Sequence, residues 1–216
     1  MSQTPSIATV LVIGANGKVG RLLVPLLIAA GYRVRAMVRD DAQVPGMREL
    51  GAEPVVGDLE GEFTHALHGC QALVFTAGSG GHTGADKTAA VDGMGAILSV
   101  DAARERDVRR FVMVSARGAH DPDRSEAIRH YLVAKSIADG YLARSGLDHT
   151  ILRPGRLTDD QPTGRIRAGG DLGSGQITRG DVAATVVAAL EQPRTIGKTF
   201  EILNDGEPIR VALNSI

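Results

Sequence analysis

Apolar residues along the chain follow two spacings that alternate from its start to about residue 153. Compact apolar runs of about four to eight residues are typical of buried strands, whereas apolar positions three and four apart are typical of amphipathic helices. The runs predict a first strand over 7–13 and a second strand that ends at 39. Further strands are predicted over 53–56, 71–76, 109–115, 148–153, 165–168 and 199–203. The helical spacing predicts helices ending near 31, around 47–50, and over about 85–107, 128–145 and 181–190.

This alternation predicts an α/β fold with a doubly wound, mostly parallel sheet, the first strand central and helices on both faces. The composition agrees, because a chain with 3% aromatic residues and no tryptophan builds its core from Val, Leu, Ile and Ala, as buried parallel sheets do. A chain of 216 residues is long enough for one such domain and too short for two.

The turn after the first strand is rich in glycine and reads Gly-Ala-Asn-Gly-Lys-Val-Gly over residues 14–20. The first glycine would allow a tight turn from strand to helix, the second would let backbone approach a pyrophosphate, and the third would let helix and sheet pack closely. The helix N-terminus favours phosphate there through unpaired N–H groups and the positive end of the helix dipole. The predicted ligand is a dinucleotide, bound by Gly14, Asn16, Gly17, Lys18, Val19 and Gly20.

The spacing G-x-x-G-x-x-G differs from the usual G-x-G-x-x-G, so an ordinary structural turn is the alternative. The apolar strand before the turn and the helical spacing after it favour the dinucleotide. A phosphate loop of the G-x-x-x-x-G-K-[ST] type is excluded, because Lys18 is followed by Val19 and no hydroxyl is placed for magnesium. We therefore predict a single NAD(P)-binding Rossmann domain over 1–216, in which 155–216 cover the substrate side.

The end of the second strand is predicted to select the cofactor. A carboxylate there would bind the ribose 2′-hydroxyl of NAD, whereas an arginine accommodates the 2′-phosphate of NADP. The first polar residue after this strand is Arg39, which favours NADP. Asp40 and Asp41 follow it, so NAD stays an alternative cofactor. The non-functional alternative is that Arg39 is only a solvated residue at the end of the strand.

Further cofactor contacts are predicted where later strands end, because these ends line the ligand crevice of a doubly wound sheet. Asp58 is placed to accept from an adenine amino group, although a helix N-cap is an alternative. The glycine-rich stretch 77–84 is expected beside the nicotinamide, with His82 as a substrate contact or simply a solvated loop residue. The residues assigned to the cofactor in this region are Asp58, Leu59, Ala77, Gly78, Ser79 and Pro154.

Tyr131 and Lys135 are the main candidates for chemistry, since residues four apart share one helix face. A tyrosine ordinarily titrates at about pH 10, so acid/base work at neutral pH calls for a lowered pKa. A lysine ammonium nearby, together with a cationic nicotinamide, acts in that direction. The alternative is a surface lysine beside a half-buried tyrosine.

Composition excludes several other classes of protein. A net charge of −1 and a pI of about 6.6 argue against nucleic acid or an anionic membrane as partner. One cysteine excludes an internal disulfide, and we expect a cytoplasmic protein without a signal peptide or membrane span. His65, His68 and Cys70 are metal-ligand types, but no second close pair accompanies them, so no metal site is predicted.

Several motifs together resemble the short-chain dehydrogenase/reductase superfamily, in particular its small atypical branch of NAD(P)-binding, NAD-dependent epimerase/dehydratase-like proteins. The resemblance extends from residue 7 to about residue 203. The motifs that carry it lie at 14–20, 57–59, 76–78, 131–135, 150–155 and 181–183.

The resemblance implies roles for a few side chains. Tyr131 would be the acid/base, and Lys135 would bind the nicotinamide ribose and tune Tyr131. The family often has two serines at the end of the fifth strand, the second of them catalytic, and here Ser115 is followed by Ala116. A helix asparagine common in the superfamily is replaced by Asp92, and both departures weaken the expected proton relay.

Three functions follow as hypotheses. The first is an NADP-dependent oxidoreductase or epimerase-like enzyme on a small molecule. The second is a non-catalytic NADP(H) sensor that reports to a protein partner, which the departures at Ala116 and Asp92 favour. The third is a flavin or quinone reductase in which Tyr131 is dispensable. Substrate and oligomeric state stay open.

Overall fold

A sheet of eight strands forms the centre of the protein, in the order β3-β2-β1-β4-β5-β6-β10-β8. The computed structural model describes residues 8–80 and 83–216. The strands are β1 Thr9–Ile13, β2 Arg33–Val38, β3 Glu53–Val56, β4 Ala72–Phe75, β5 Arg110–Val114, β6 Asp148–Pro154, β8 Arg165–Gly169 and β10 Lys198–Pro208, with β7 Arg156–Thr158 and β9 Gln176–Thr178 in a separate parallel pair. Among the strands of the described residues, only β8 runs antiparallel to its neighbour in the large sheet, which confirms the mostly parallel fold.

Helices cover both faces of this sheet. They are α1 Lys18–Ala29, α2 Val44–Glu49, α3 Ala85–Lys87, α4 Ala96–Glu105, α5 Arg129–Ala143, α6 Arg179–Glu191 and α7 Ile209–Asn214, and a π-helical segment Thr88–Gly95 joins α3 to α4. Successive strand residues point to opposite faces. Val10 and Val12 therefore pack with α1 and α6, and Leu11 and Ile13 with α4 and α5.

The order of the strands creates the crevice. The chain passes from β1 to β2 and β3 on one side and from β4 onward on the other, so β1 and β4 are neighbours that lead away in opposite directions. At such a switch point the loops after the two strands separate and leave room for a ligand at the carboxyl ends. The predicted glycine-rich turn and the residues after β4 both lie at this point.

The structure departs from the sequence prediction in two places. The single helix predicted over 85–107 contains the wider π-helical segment Thr88–Gly95, where Gly95 packs so closely on Leu59 that a Cβ would lie 3.1 Å from its side chain. The short elements β7, β9 and α7 were not predicted, because three-residue strands and a six-residue helix carry too few apolar positions for a periodic signal. No helix in 8–80 or 83–216 is long and apolar enough to cross a bilayer.

A buried carboxylate holds the C-terminal quarter to the sheet. Asp181 is fully buried at the start of α6 and accepts hydrogen bonds from Gly164 N at 2.7 Å, Thr163 N at 2.9 Å and Asn204 Nδ2 at 2.6 Å. Burial alone would raise the pKa of Asp181, but these donors and Thr178 outweigh it and hold the pKa below its usual range. One side chain thereby connects the segment before β8, the start of α6 and β10.

We expect Asp181→Ala to lower the free energy of unfolding by about 3 kcal/mol or more, because several buried donors lose their acceptor at once. The pKa of Asp181 is lower in the folded than in the unfolded protein. Its contribution is therefore complete above the unfolded-state pKa and is lost as the pH falls through the folded-state pKa. Urea unfolding between neutral and acidic pH measures this.

The matched control is Asp160→Ala, which removes an exposed carboxylate from the same part of the chain. It should change the stability by less than about 0.5 kcal/mol at any pH. Equal effects of the two substitutions would contradict the role given to Asp181.

Candidate cofactor cleft and active site

The glycine-rich turn brings three backbone segments into direct contact. Gly14 follows β1 with φ +85°, and a Cβ on it would lie 2.6 Å from Ala77 N after β4. A Cβ on Gly20 in α1 would lie 2.3 Å from Gly14 O. Both distances are far below van der Waals contact, so only glycine fits at either position, and the first turn of α1 is held directly against the ends of β1 and β4.

The N-terminus of α1 opens into this crevice without an internal cap. Gly17 is the N-cap residue, it offers no side-chain acceptor, and no acidic residue occupies the first turn. The first backbone N–H groups of a helix have no partner within it. An anionic pyrophosphate fits this end, since the N–H groups and the helix dipole both favour it.

Two predicted cofactor residues in the turn use their side chains within the protein. Lys18 Nζ lies 2.9 Å from Asp159, in the segment after β7, and Asp159 also pairs with Arg179 at 2.6 Å. Asn16 Oδ1 accepts a hydrogen bond of 3.0 Å from Arg21. Lys18 therefore links the glycine-rich turn to the C-terminal quarter of the chain across the mouth of the cleft.

The end of β2 separates the arginine from the two carboxylates that follow it. Arg39 is exposed, and its guanidinium has no hydrogen bond or ion pair to residues 8–80 or 83–216. Asp40 Oδ1 instead accepts from Ala42 N at 2.8 Å and caps the short helical turn that begins there. An arginine without a partner among the described residues and a carboxylate engaged as a cap therefore occur side by side at this strand end.

The residues after β3 have a local structural role that the sequence left open. Asp58 Oδ1 accepts from Glu60 N at 3.0 Å, so it closes a tight turn rather than capping a helix, since the next helical turn begins only at Thr64. Leu59 is buried against Gly95. His65, which follows, is bonded through both ring nitrogens, to Glu62 and to Val56 O, and no cluster of metal-ligand side chains occurs among the described residues.

A buried ion pair lies beneath the loop after β4. Lys135 Nζ is 3.0 Å from Asp92 Oδ1 and 3.5 Å from Ala77 O, and the second oxygen of Asp92 accepts from Ser79 N at 2.9 Å. Lys135 is 3% exposed and Asp92 is fully buried. A Cβ on Gly78 would lie 3.1 Å from Asp92. The predicted segment Ala77, Gly78 and Ser79 is thus held in place by Asp92, while His82 lies outside the described residues.

Tyr131 lies next to this pair on the same face of α5. Lys135 Nζ is 5.6 Å from the centre of the Tyr131 ring. Burial raises the pKa of Tyr131, the Lys135 charge opposes it, and Asp92 and Asp139 add to the rise. Lys135 therefore acts on the Tyr131 pKa in the expected direction, but burial outweighs a lysine whose charge is shared with Asp92 and leaves the pKa above its ordinary value.

The hydroxyl of Ser115, directly after β5, lies beside a carboxylate that the sequence did not point to. Its hydroxyl interacts with the carboxylate of Asp139, whose pKa it lowers against the rise caused by burial. Neither Ser115 Oγ nor Asp139 Oδ1 completes a hydrogen bond with a described residue. Asp139 Oδ2 accepts a hydrogen bond of 2.8 Å from Arg153 Nε. Arg153 directly precedes Pro154, the predicted cofactor residue of this strand, which is buried.

Sequence reasoning missed Asp139, although its spacing carries a signal. It follows Lys135 by four residues, as Lys135 follows Tyr131, so all three side chains share one face of α5. A charged residue on the buried face of a helix is rare unless it is paired. Arg153 lies within the motif at 150–155, but no role was predicted for its side chain.

Comparison with known proteins places this cleft in a family. Residues 14–193 match the family model described as NAD(P)H-binding. A Bacillus subtilis protein named "Uncharacterized sugar epimerase YhfK" is 44% identical over 96% of this chain and 99% of its own. A Bacillus halodurans structure described as "Putative NAD-dependent epimerase/dehydratase" is 46% identical, with a TM-score of 0.94 over 97% of this chain and 100% of its own. The oxidoreductase YlbE of Lactococcus lactis is 32% identical, with a TM-score of 0.87 over 96% of each chain.

These matches agree with the glycine-rich turn, the uncapped helix and the strand order, and they confirm the resemblance expected from the motifs. The chain belongs to the NAD(P)H-binding family and is an epimerase/dehydratase-like Rossmann protein of the atypical short-chain dehydrogenase/reductase type.

Proposed function

We propose that this protein is an NADP(H)-dependent oxidoreductase that reduces a carbonyl group of a small molecule, with Tyr131 as the proton donor. The observation that carries the proposal is the cluster of half-buried Tyr131 with the buried Lys135–Asp92 pair, directly below the loop after β4 and next to the uncapped start of α1. With its phosphates held at α1, a dinucleotide would extend its nicotinamide half along this crevice. A bound nicotinamide supplies the hydride.

The raised pKa of Tyr131 suits the direction of reduction. A proton donor must carry its proton at the working pH, and a phenol whose pKa is raised does so throughout the neutral range. As a carbonyl accepts a hydride, its oxygen becomes negative, and Tyr131 would supply the proton that it needs. In a carbonyl group held above Tyr131, the carbon would gain the hydride from the nicotinamide and the oxygen would gain the proton from Tyr131.

Lys135 would provide a fixed positive charge beside Tyr131. Burial alone would lower the pKa of Lys135, but Tyr131 and Asp92 raise it, so the ammonium stays charged inside the protein. Such an ammonium opposes the negative charge left on Tyr131 when the proton leaves. It is also close enough to Ala77 O to support the loop on which a nicotinamide ribose would rest.

The cofactor choice rests on the end of β2. Arg39 is free to meet a 2′-phosphate, whereas Asp40 is engaged as a cap and is not positioned to accept from a 2′-hydroxyl without losing that contact. NADP(H) is therefore proposed over NAD(H). The relatives' names include a sugar epimerase, so sugars belong in the substrate panel beside aldehydes, ketones and quinones.

We expect Arg39→Ala to weaken NADPH binding by roughly 10- to 100-fold and to leave NADH binding unchanged, because a charge-assisted hydrogen bond contributes about 1.5 to 3 kcal/mol. Calorimetric titration with both cofactors measures this. The control is Arg33→Ala, which removes an exposed arginine from the opposite end of the same strand. An equal loss for both cofactors would contradict the proposal.

A non-catalytic NADP(H) sensor is the second candidate, and the Lys135–Asp92 pair favours it. The carboxylate at position 92 partly neutralises the ammonium that would tune Tyr131. A sensor would bind NADPH as tightly as an enzyme but would oxidise it with no member of the panel. NADPH oxidation by the wild-type protein therefore separates the two functions.

A further inference from the structure

One carboxylate at the mouth of the cofactor cleft holds two cations that come from distant parts of the chain. Asp159 Oδ2 accepts a hydrogen bond of 2.9 Å from Lys18 Nζ, and Asp159 Oδ1 accepts one of 2.6 Å from Arg179 Nη1. Lys18 is the first residue of α1, in the glycine-rich turn, and Arg179 is the first residue of α6. Each oxygen of Asp159 therefore has a cation of its own.

The small sheet of β7 and β9 explains how Asp159 and Arg179 meet. The two strands are parallel, and their last register pair is Thr158 with Thr178. Asp159 and Arg179 directly follow these two residues, so the backbone pairing brings the carboxylate and the guanidinium side by side. The pair of Asp159 with Arg179 thus belongs to the C-terminal quarter, whereas the pair with Lys18 connects that quarter to the glycine-rich turn.

The two ion pairs differ in how firmly they are held. The side chains of Lys18 and Asp159 are 69% and 63% exposed, whereas that of Arg179 is 19% exposed. An exposed ion pair contributes little net free energy, because water solvates both charges well and the pair fixes two mobile side chains. The Lys18 ammonium can therefore leave Asp159 at low cost, and Asp159 keeps Arg179 when it does.

A bound pyrophosphate would meet the same ammonium. The backbone of Lys18 begins the helix whose uncapped N-terminus suits the phosphates, and a lysine ammonium binds phosphate oxygens as a point charge. A pyrophosphate also carries more negative charge than one carboxylate. The phosphates and Asp159 would then attract one ammonium while they repel each other.

From this arrangement we propose that Asp159 competes with the cofactor phosphates for Lys18 and thereby limits the affinity of the protein for its dinucleotide. In the free protein Asp159 holds the Lys18 ammonium. A bound pyrophosphate takes the ammonium over while Asp159 stays on Arg179, and the pair with Lys18 forms again when the cofactor leaves. The inference rests on the binding of an NAD(P)H cofactor and does not depend on the reduction proposed above.

The ionisation of Asp159 agrees with this role. The hydrogen bond from Lys18 is the main cause that holds the pKa of the Asp159 carboxyl below its usual range, and the charge of Arg179 adds to it. Asp159 is therefore ionised at neutral pH and attracts the ammonium with its whole charge. Loss of Lys18 to a phosphate should raise this pKa, which can be followed without any turnover.

Calorimetric titration with NADPH and with NADH tests the competition. Asp159→Asn should tighten the binding of both cofactors by roughly three- to tenfold at low salt, since both contain the pyrophosphate and an exposed ion pair is modest in strength. The matched control is Asp160→Asn, which removes the same charge from the neighbouring exposed residue, one without an ion pair to a described residue. An unchanged or weaker affinity of Asp159→Asn, or an equal gain from Asp160→Asn, would overturn the proposal.

Removal of the shared cation separates competition from simple repulsion. Lys18→Met should weaken the binding of both cofactors. In that background Asp159→Asn should have no more effect than Asp160→Asn, because the ammonium for which Asp159 competes is gone. A gain of the same size with and without Lys18 would show that Asp159 acts on the phosphates directly, which would refute the competition.

The carboxyl ¹³C signal of Asp159, followed in pH titrations of the wild-type protein, reports on the pair itself. The pKa of Asp159 should rise when NADPH saturates the protein, because the ammonium has moved to the phosphates. A pKa that stays the same with and without NADPH would mean that Lys18 remains on Asp159, and the proposal would then be wrong.

Discussion

Tyr131→Phe is expected to lower kcat by about 10²-fold or more, the usual size of a general-acid contribution, while NADPH affinity stays within about twofold of wild type. The substitution removes a single hydroxyl, which makes no hydrogen bond to the described residues, so the fold should keep its stability. Stopped-flow NADPH oxidation under conditions where chemistry limits the rate measures the effect.

Tyr141→Phe is the matched control on the same helix. Tyr141 donates a hydrogen bond of 2.7 Å to Asp101 on α4 and lies ten residues after Tyr131 along α5. Its loss should leave kcat unchanged. If Tyr131→Phe also turns over at the wild-type rate, Tyr131 is not the donor, and an acceptor such as a flavin or quinone that takes its proton from water becomes the better explanation.

The protonation of Tyr131 should determine whether the rate of reduction rises or falls with pH. Burial, Asp92 and Asp139 all raise its pKa, and a donor with a raised pKa stays protonated through neutral pH. The rate of reduction should therefore fall only in the alkaline range, and this alkaline fall should disappear in Tyr131→Phe.

Lys135→Met is expected to have the largest effect on stability, a loss of about 3 to 5 kcal/mol, because it leaves Asp92 buried without a counter-ion. Asp92 is fully buried and 3.0 Å from the ammonium, so water cannot replace the lysine. NADPH binding should weaken as well, since the support of the loop after β4 is lost. Urea unfolding and calorimetry measure the two effects separately.

Two further variants isolate the cause. Lys135→Met combined with Asp92→Asn should recover most of the stability but not the cofactor affinity, because the unpaired charge is gone while the ammonium is still missing. Lys87→Met breaks a pair with Glu60 of similar length, 2.8 Å, but one that is half exposed. Because both side chains keep contact with water, it should cost far less stability than Lys135→Met. A Lys135→Met protein as stable as Lys87→Met would contradict the importance given to the buried pair.

The fold was predictable because its signals are local. Apolar spacing distinguishes strand from helix within a few residues, and the strand over Glu53–Val56 and the start of α6 near Arg179 were located closely. Gly14 and Gly20 were singled out for roles that depend on the absence of a side chain, and both make backbone contacts that no larger residue would allow.

The candidate site was predictable only in part. The four-residue spacing of Tyr131 and Lys135 put both on one face of α5, and that placement depends on helix geometry alone. The partner of Lys135 could not be read in the same way, because Asp92 is 43 residues away in sequence and meets it only through the packing of the π-helical segment on α5. The sign of the Tyr131 pKa shift followed from that burial, which the spacing does not contain.

By itself, the sequence determined the alternating strands and helices, the glycine-rich turn and the pairing of Tyr131 with Lys135 on one helix face, since each depends on residues close together in the chain. The tertiary structure alone decided that Ser115, Arg153 and Glu201 form one row of polar side chains across β5, β6 and β10, and that Asp139 on α5 pairs with Arg153 in this row. The physical reason is that this row depends on the register of three strands far apart in the sequence, and register is set by packing over the whole sheet.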